Sequence, residues 1–378
     1  MTDRARRRIV FLTGTRADFG KIKALLRALD SEGSFEIFLF VTGMHLLSRY
    51  GSTWEEVRAT GIGHMYTFIN QNHDDSMEAV FAKTVTGFSD YVRETQPDLV
   101  VVHGDRVETL AGATVGALAG IKVAHIEGGE VSGTVDELIR HAVTKLAHIH
   151  FVSNEEARQR VLQLGESPTS VHIIGSPDID VMDSGGLPSL EEVRHYYEIP
   201  FEDYGILIFH PVTTELDRLR GDAATLVDFV ISTGRNFIVI LPNNDAGAHH
   251  IFDEYQRFAG VPSIRCFPSM RFEYFLAALR GAKFIIGNSS AGVREAPHFG
   301  VPAINVGTRQ FRRSDSPQVV NSELSPDALT TALERAEALP RTPDMKFGSG
   351  NSAELFLELM RSPGTWSTPV QKSFNDRP

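Results

Sequence analysis

"PDLVVVHGDRVETLAGATVGALAGIKVAHIEGGE", residues 97–130, sets two continuous apolar runs, at 98–104 and 121–129, on either side of a segment with helical period. A run without polar alternation is what a parallel strand covered on both faces requires, so the stretch reads as strand, helix, strand. The same unit recurs in both directions. Before it stand "RIVFLTG" (8–14) and "FEIFLFVTG" (35–43), and after it "HIHFVS" (148–153) and "VHIIGSP" (171–177). Residues 183–205 lack such runs, cluster Gly and Pro, and read as an interdomain connection. The pattern then restarts with "ILIFHP" (206–211), "FIVILPN" (237–243), "SIRCFPS" (263–269), "KFIIGNSS" (283–290) and "PAINVG" (302–307). The expectation is an α/β protein of two doubly wound Rossmann-like domains, 1–183 and 184–350, facing a central cleft where the carboxyl ends of the strands hold the ligand.

Composition agrees with two domains and narrows the partners. A chain of 378 residues with 42% hydrophobic content is too long for one ordinary core. Its 37 basic and 48 acidic residues give a net charge of -11, and beyond positions 4–8 the cations are scattered, which argues against a nucleic-acid surface. The apolar stretch after that basic start is too short for a signal peptide, and no later run is long enough to span a bilayer, so a cytoplasmic protein without a membrane partner is expected. The single cysteine, Cys266, excludes an internal disulfide and leaves no thiolate set for zinc, so no metal is expected.

The strand ends carry the chemistry. In the first domain they supply Arg16, Asp18, Lys21, His45, Asp105, Arg106 and Glu127. Asp105 and Glu127 each follow a buried apolar strand, where an unpaired carboxylate is costly; they are candidates for acid-base work, or else ion-pair partners of Arg106 or Arg16. The flanking His103 and His125 read as satisfied core histidines. A helix follows: Val135, Leu138, Ile139, Ala142, Val143 and Leu146 make its apolar face, and Asp136, Arg140 and Thr144 share the other. Thr134 and Glu137 fit a capping box, while Asp136 suits either the helix start, paired with Arg140, or a place facing the ligand. In the second domain, Gly287, Asn288, Ser289 and Ser290 run from a strand into a helix beginning near Gly292. Such a turn aims amides and hydroxyls at an anion such as a diphosphate, though an ordinary helix cap has the same residues. Glu295 on the next turn suits ribose hydroxyls, and His210 at the end of "ILIFH" suits a phosphate oxygen if protonated.

Taken in order from about residue 8 to about residue 310, "GTRADFGK", "VTGMH", "HGDR", "HIEGGEVSGTVDELIRHAVTKLAHIH", "FHPVTTE", "GNSSAGVREA" and "VGTRQ" resemble the hydrolysing UDP-N-acetylglucosamine 2-epimerases of sialic and legionaminic acid biosynthesis. The resemblance implies a glycosyltransferase-B-type architecture, a homodimer or homotetramer, and a final helix and tail (351–378) that pack back on the first domain. It implies a nucleotide-sugar substrate, no cofactor, and loss of UDP through a glycal followed by rehydration with C2 inverted. Asp105, Glu127 and Asp136 become the carboxylates of that step, with Asp105 and Glu127 handling protons, and Lys21 and His210 join the catalytic group. Arg106 and His210 would stabilise the leaving diphosphate. Ser289, Ser290 and Asn288 would hold it, Glu295 the ribose, and Arg309 the phosphate or its neighbouring loop; Arg16 and Arg140 complete the substrate contacts. Left open are the sugar, N-acetylglucosamine or a 2,4-diacetamido-trideoxyhexose, and two rival activities, a non-hydrolysing 2-epimerase and a glycosyltransferase of the same architecture.

Overall fold

The structure, a computed structural model, describes residues 6–72, 75–132, 134–310 and 312–376. Arg4 of the basic start and Gly133 of the acidic stretch lie outside these residues. The chain divides into two compact units, the first made of residues 1–130, 136–185 and 347–378 and the second of 131–135 and 186–346. Among the described residues no helix is long and apolar enough to cross a membrane.

The first unit is built on seven parallel strands: β1 (Arg7–Thr13), β2 (Phe35–Val41), β3 (His64–Thr67), β4 (Leu99–His103), β5 (Lys122–Ile126), β6 (Ile149–Val152) and β7 (Val171–Ile173). They lie in the order β3-β2-β1-β4-β5-β6-β7, so the winding reverses between β1 and β4. The second unit holds six: β8 (Gly205–Ile208), β9 (Phe237–Ile240), β10 (Ile264–Phe267), β11 (Phe284–Gly287), β12 (Ala303–Val306) and β13 (Val319–Ser322), in the order β10-β9-β8-β11-β12-β13, reversing between β8 and β11. The inner strands of each sheet are covered on both faces, which is why they are apolar throughout. Ile9, Phe11, Leu39, Val101 and Ile126 pack on one side of the first sheet, while Phe40 on the other meets Phe88 edge to face at 5.0 Å.

Two strands escape the sequence reading. The strand β3, "HMYT", lies at the sheet edge and is largely solvated, so it carries no apolar run; β13, "VVNS", is an edge strand of the same kind. The strands that were read end sooner than their apolar runs suggest. Residues 121–129 contain a strand only to Ile126, because Glu127 turns into the left-handed region at φ 64°.

The last segment completes the first core. In the helix Ser352–Arg361, Phe356 and Met360 are buried with Ile9 and Leu25. The Asp180 carboxylate accepts from the first amides of that helix, Ser352 N at 2.8 Å and Ala353 N at 2.6 Å. Further on, Lys122 Nζ donates to Trp366 O at 2.6 Å, and Lys372 donates to the carbonyls of Lys145 at 2.8 Å and of Ala147, where the helix Val135–Leu146 leaves carbonyls unsatisfied. Lys372 also meets Glu166 at 2.8 Å, alongside Lys145 at 2.5 Å and His150 at 3.2 Å.

Burial works to raise the Glu166 pKa, but those three donors prevail and hold it down to about 2, from an ordinary value of 4.5. A depressed carboxylate stabilises the fold above its unfolded pKa, and that contribution is lost as pH falls through 4.5 towards 2. Glu166→Gln is therefore expected to be less stable than the wild type at pH 7, with the gap closing below about pH 4.5. Urea unfolding followed by tryptophan fluorescence reads this cleanly, since the two tryptophans, Trp54 and Trp366, both belong to the first unit.

Candidate active site

In the first unit the site grows from the reversal point. Parallel pairing sets His103 beside Ile126, and Gly104 N donates to Ile126 O at 3.0 Å, so the residues just beyond β4 run alongside those just beyond β5. Asp105 and Glu127 are thereby neighbours. What fixes them is Arg140, from the first turns of the helix Val135–Leu146. Its guanidinium is 1% exposed, donates through Nη1 to Glu127 O at 2.5 Å and pairs through Nη2 with the Asp105 carboxylate.

Three expectations change here. The ion-pair partner of Asp105 is Arg140, whereas the sequence suggested Arg106 or Arg16; Arg106 donates to Glu108 at 3.3 Å and Arg16 pairs with Glu56 at 2.5 Å. Arg140 was expected to touch substrate, but its buried head is turned to the protein. The helix is also rotated from its apolar pattern: Ile139, Arg140, Val143 and Thr144 are buried, while Leu138 is 68% exposed. The reason is electrostatic. With a carboxylate and a carbonyl in reach, the buried guanidinium has its charge compensated, which is the condition for burying it at all.

The Glu127 carboxylate is 4% exposed and densely attended. Ser176 Oγ donates to its Oε1 at 2.6 Å, Lys21 Nζ lies 3.8 Å from the same oxygen, and His103 Nε2 lies 3.4 Å from Oε2. Lys21 stands one turn into the helix Arg16–Glu32, whose start is a capping box of Thr15 and Asp18, and it also pairs with the fully buried Asp178 at 3.3 Å. A buried acid at positive φ is strained by about 1–3 kcal/mol, and such strain collects at functional sites. Asp136 sits at the start of its helix, partly exposed.

The histidines divide. His125 is a satisfied core residue, with Nε2 against Gly104 O at 2.8 Å and Nδ1 against Thr144 Oγ1 at 3.3 Å; burial pushes its pKa down to about 3, so it stays neutral. His45, between Thr13 and Thr53, is also pushed down to about 3 by burial. His103 departs from the core reading, because it faces two carboxylates, Glu127 and Asp18. Sequence reasoning missed three members of this cluster: His103, Ser176 and Asp178. For the last two the signal was "GSPDID", where Pro177 opens a helix directly behind a strand end.

The second unit repeats the logic at β8 and β11. Gly287 has φ 136°, and a Cβ there would lie 1.8 Å from Ile208 O, so only glycine allows the two strands to meet so closely. Asn288, 1% exposed, then accepts from His210 N at 2.7 Å and donates to His210 O at 2.9 Å. Expected to contact substrate, its side chain is committed to the neighbouring strand end. The clamp aims the His210 ring, whose Nδ1 accepts from Asn243 N at 3.1 Å, leaving Nε2 as the ring's donor.

Beyond Asn288 the expected helix near Gly292 is broken in two: a 3-10 turn over Ser290–Gly292, then a short helix Glu295–His298 containing Pro297. Ser289 Oγ accepts from Ala291 N at 3.3 Å, whereas the Ser290 hydroxyl has no partner among the described residues. Glu295 is buried at the start of the short helix, and Arg309 reaches the Asn288 carbonyl at 3.3 Å, holding the loop. Among the described residues no group of three His, Cys, Asp or Glu is arranged to hold a metal ion.

Known proteins share this organisation. Residues 27–361 match the family model described as UDP-N-acetylglucosamine 2-epimerase. A UDP-N-acetylglucosamine 2-epimerase from Neisseria meningitidis serogroup B is 48% identical over 98% of this chain and 99% of its own length. A UDP-N,N'-diacetylbacillosamine 2-epimerase (hydrolyzing) from Legionella pneumophila is 32% identical over 94% of this chain and 96% of its own. Among solved structures, that of a UDP-GlcNAc 2-epimerase from Neisseria meningitidis bound to UDP-GlcNAc superposes with a TM-score of 0.78 at 16% identity, covering 93% of this chain and 99% of that one. Two Rossmann-like sheets, each with its polar residues gathered where the winding reverses, and a sequence matched over nearly its whole length make this chain a member of the UDP-N-acetylglucosamine 2-epimerase family.

Proposed function

We propose that the protein is a hydrolysing UDP-N-acetylglucosamine 2-epimerase, releasing UDP and the free C2-inverted sugar. The observation that carries the reading is the pairing of Asp105 and Glu127 through one buried arginine, which supplies two proton carriers at adjacent strand ends. A C2 proton is weakly acidic, so a fixed base must take it while the diphosphate departs. Inversion then needs a second group to return a proton to the opposite face. Asp105 and Glu127 carry these transfers, with Asp136 as the third carboxylate of the step. In the second unit the Ser290 hydroxyl and the His210 Nε2–H stabilise the leaving diphosphate, where charge grows in the transition state. Arg16, Arg106, Ser289, Glu295 and Arg309 complete the grip on the nucleotide.

Hydrolysis is the finer part of this reading. The Legionella relative bears the qualifier in its name and the Neisseria relative does not. The same Legionella name favours a second sugar, a 2,4-diacetamido-trideoxyhexose. Incubation with UDP-N-acetylglucosamine in deuterated water, followed by NMR, is expected to give free UDP and N-acetylmannosamine carrying deuterium at C2. Intact UDP-N-acetylmannosamine as the main product would overturn the hydrolytic step, and turnover only of the diacetamido analogue would change the sugar alone.

Two isosteric variants separate chemistry from architecture. Glu127→Gln is expected to lower turnover about a hundredfold or more with nearly unchanged UDP affinity and stability, since Lys21 keeps Asp178 as a partner. Asp105→Asn is expected to lose comparable activity and in addition to melt early, because it strands the Arg140 guanidinium; breaking a fully buried pair costs about 3–5 kcal/mol, and the partly exposed Asp105 places this one towards the lower end. Calorimetry with UDP and thermal melts check both.

A further inference from the structure

Any epimerase that works with two proton carriers finishes its turnover in the wrong state. The base ends protonated, and the acid ends bare unless the proton shed by the water adding at C1 returns to it, so the next turnover waits until the carriers are reset. This requirement follows from the epimerase reading of Glu127 and rests on it. Glu127 is poorly placed to exchange directly with water, for its carboxylate is 4% exposed.

The structure offers it one neighbour suited to the task. His103, itself 8% exposed, sets Nε2 3.4 Å from Glu127 Oε2 and Nδ1 3.9 Å from Asp18 Oδ1. The other Asp18 oxygen is committed, accepting from Gly14 N at 2.8 Å and Thr13 Oγ1 at 3.0 Å, which aims Oδ1 at the ring. The two atoms that would pass a proton, His103 Nε2 and Asp18 Oδ1, are buried and have no hydrogen-bond partner among the described residues. Burying polar atoms unpaired is costly, and unpaired atoms at a site of chemistry point to transient use. Asp18 is the more open end, with its side chain 14% exposed. Burial raises its pKa above the ordinary carboxylate value, so it holds a proton more readily than a surface aspartate. Separations of this size in an unliganded site close on substrate binding or through one water.

We infer that His103 is a proton relay that resets Glu127 through Asp18, without touching the sugar itself. Where Glu127 has taken the C2 proton, its Oε2–H passes to His103 Nε2 while the Nδ1 proton passes to Asp18 Oδ1, and Asp18 releases it to solvent. Where Glu127 has given a proton, the same transfers run backwards. Return of the ring to its first tautomer completes the cycle, and no other reactant is consumed.

Pre-steady-state kinetics distinguishes a relay from a structural residue. In His103→Gln the first turnover is expected at near wild-type rate, as a burst of about one UDP per subunit, followed by a steady state at least about tenfold slower, with UDP affinity unchanged. Asp18→Asn keeps an oxygen for the Gly14 amide and is expected to show the same burst, so the test survives if the first variant folds poorly. A first turnover slowed as much as the steady state, or no change in either phase, would overturn the relay. Absence of turnover in the wild type would overturn the epimerase reading first, and the relay with it.

Discussion

A guanidinium stripped of water needs partners for its donors, and Arg140 finds them through Nη1 and Nη2, joining three segments that are distant in sequence. Through it the loop after β4, the turn after β5 and the helix Val135–Leu146 become one rigid piece. The left-handed Glu127 depends on this. Its backbone carbonyl is held by Nη1, so the strain of the conformation is offset by a charge-assisted bond that an ordinary turn would not provide. The carboxylate is then delivered to a place enclosed by Ser176, Lys21 and His103, where its position is set by the frame more than by its own rotamers.

The second unit reaches a similar end with neutral groups. Asn288 ties the exits of β8 and β11 by a reciprocal amide pair, and Gly287 makes the close approach possible. The tie itself is built from neutral groups, and the Arg309 guanidinium reaches its Asn288 carbonyl. The two units thus stiffen their strand ends in different ways: an ionic clamp in the first, and an amide clamp in the second.

Much of this was legible in the sequence, and the failures are instructive. Long apolar runs identified eleven of the thirteen strands among the described residues, because burial leaves little room for polar residues, whereas β3 and β13, two of the four edge strands, are short and polar enough to carry no such run. Asp105, Glu127 and His210 stand out in the sequence because each follows an apolar run directly. Arg140 was found but given the wrong surroundings: helical periodicity counts charge as exposed, and it has no way to register that a carboxylate waits inside. His103, Ser176 and Asp178 were missed for a related reason. Their significance lies in meeting Glu127 and Lys21 across three strand ends, and such proximity exists only once the sheet order is known.

The first unit is discontinuous, and Phe356 and Met360, which lie in its core, are encoded after the whole of the second. During synthesis the ribosome therefore delivers every residue of the second unit before the first can close. Domains usually fold in the order in which they emerge. Here the order is inverted for the final step: the sheet that appears first must wait, with the surface meant for the helix Ser352–Arg361 uncovered, until the chain returns to it. Nascent chains halted near residue 346 would hold a complete second unit and an unfinished first one, which makes the stretch from 347 onwards the point at which the first unit acquires its final form.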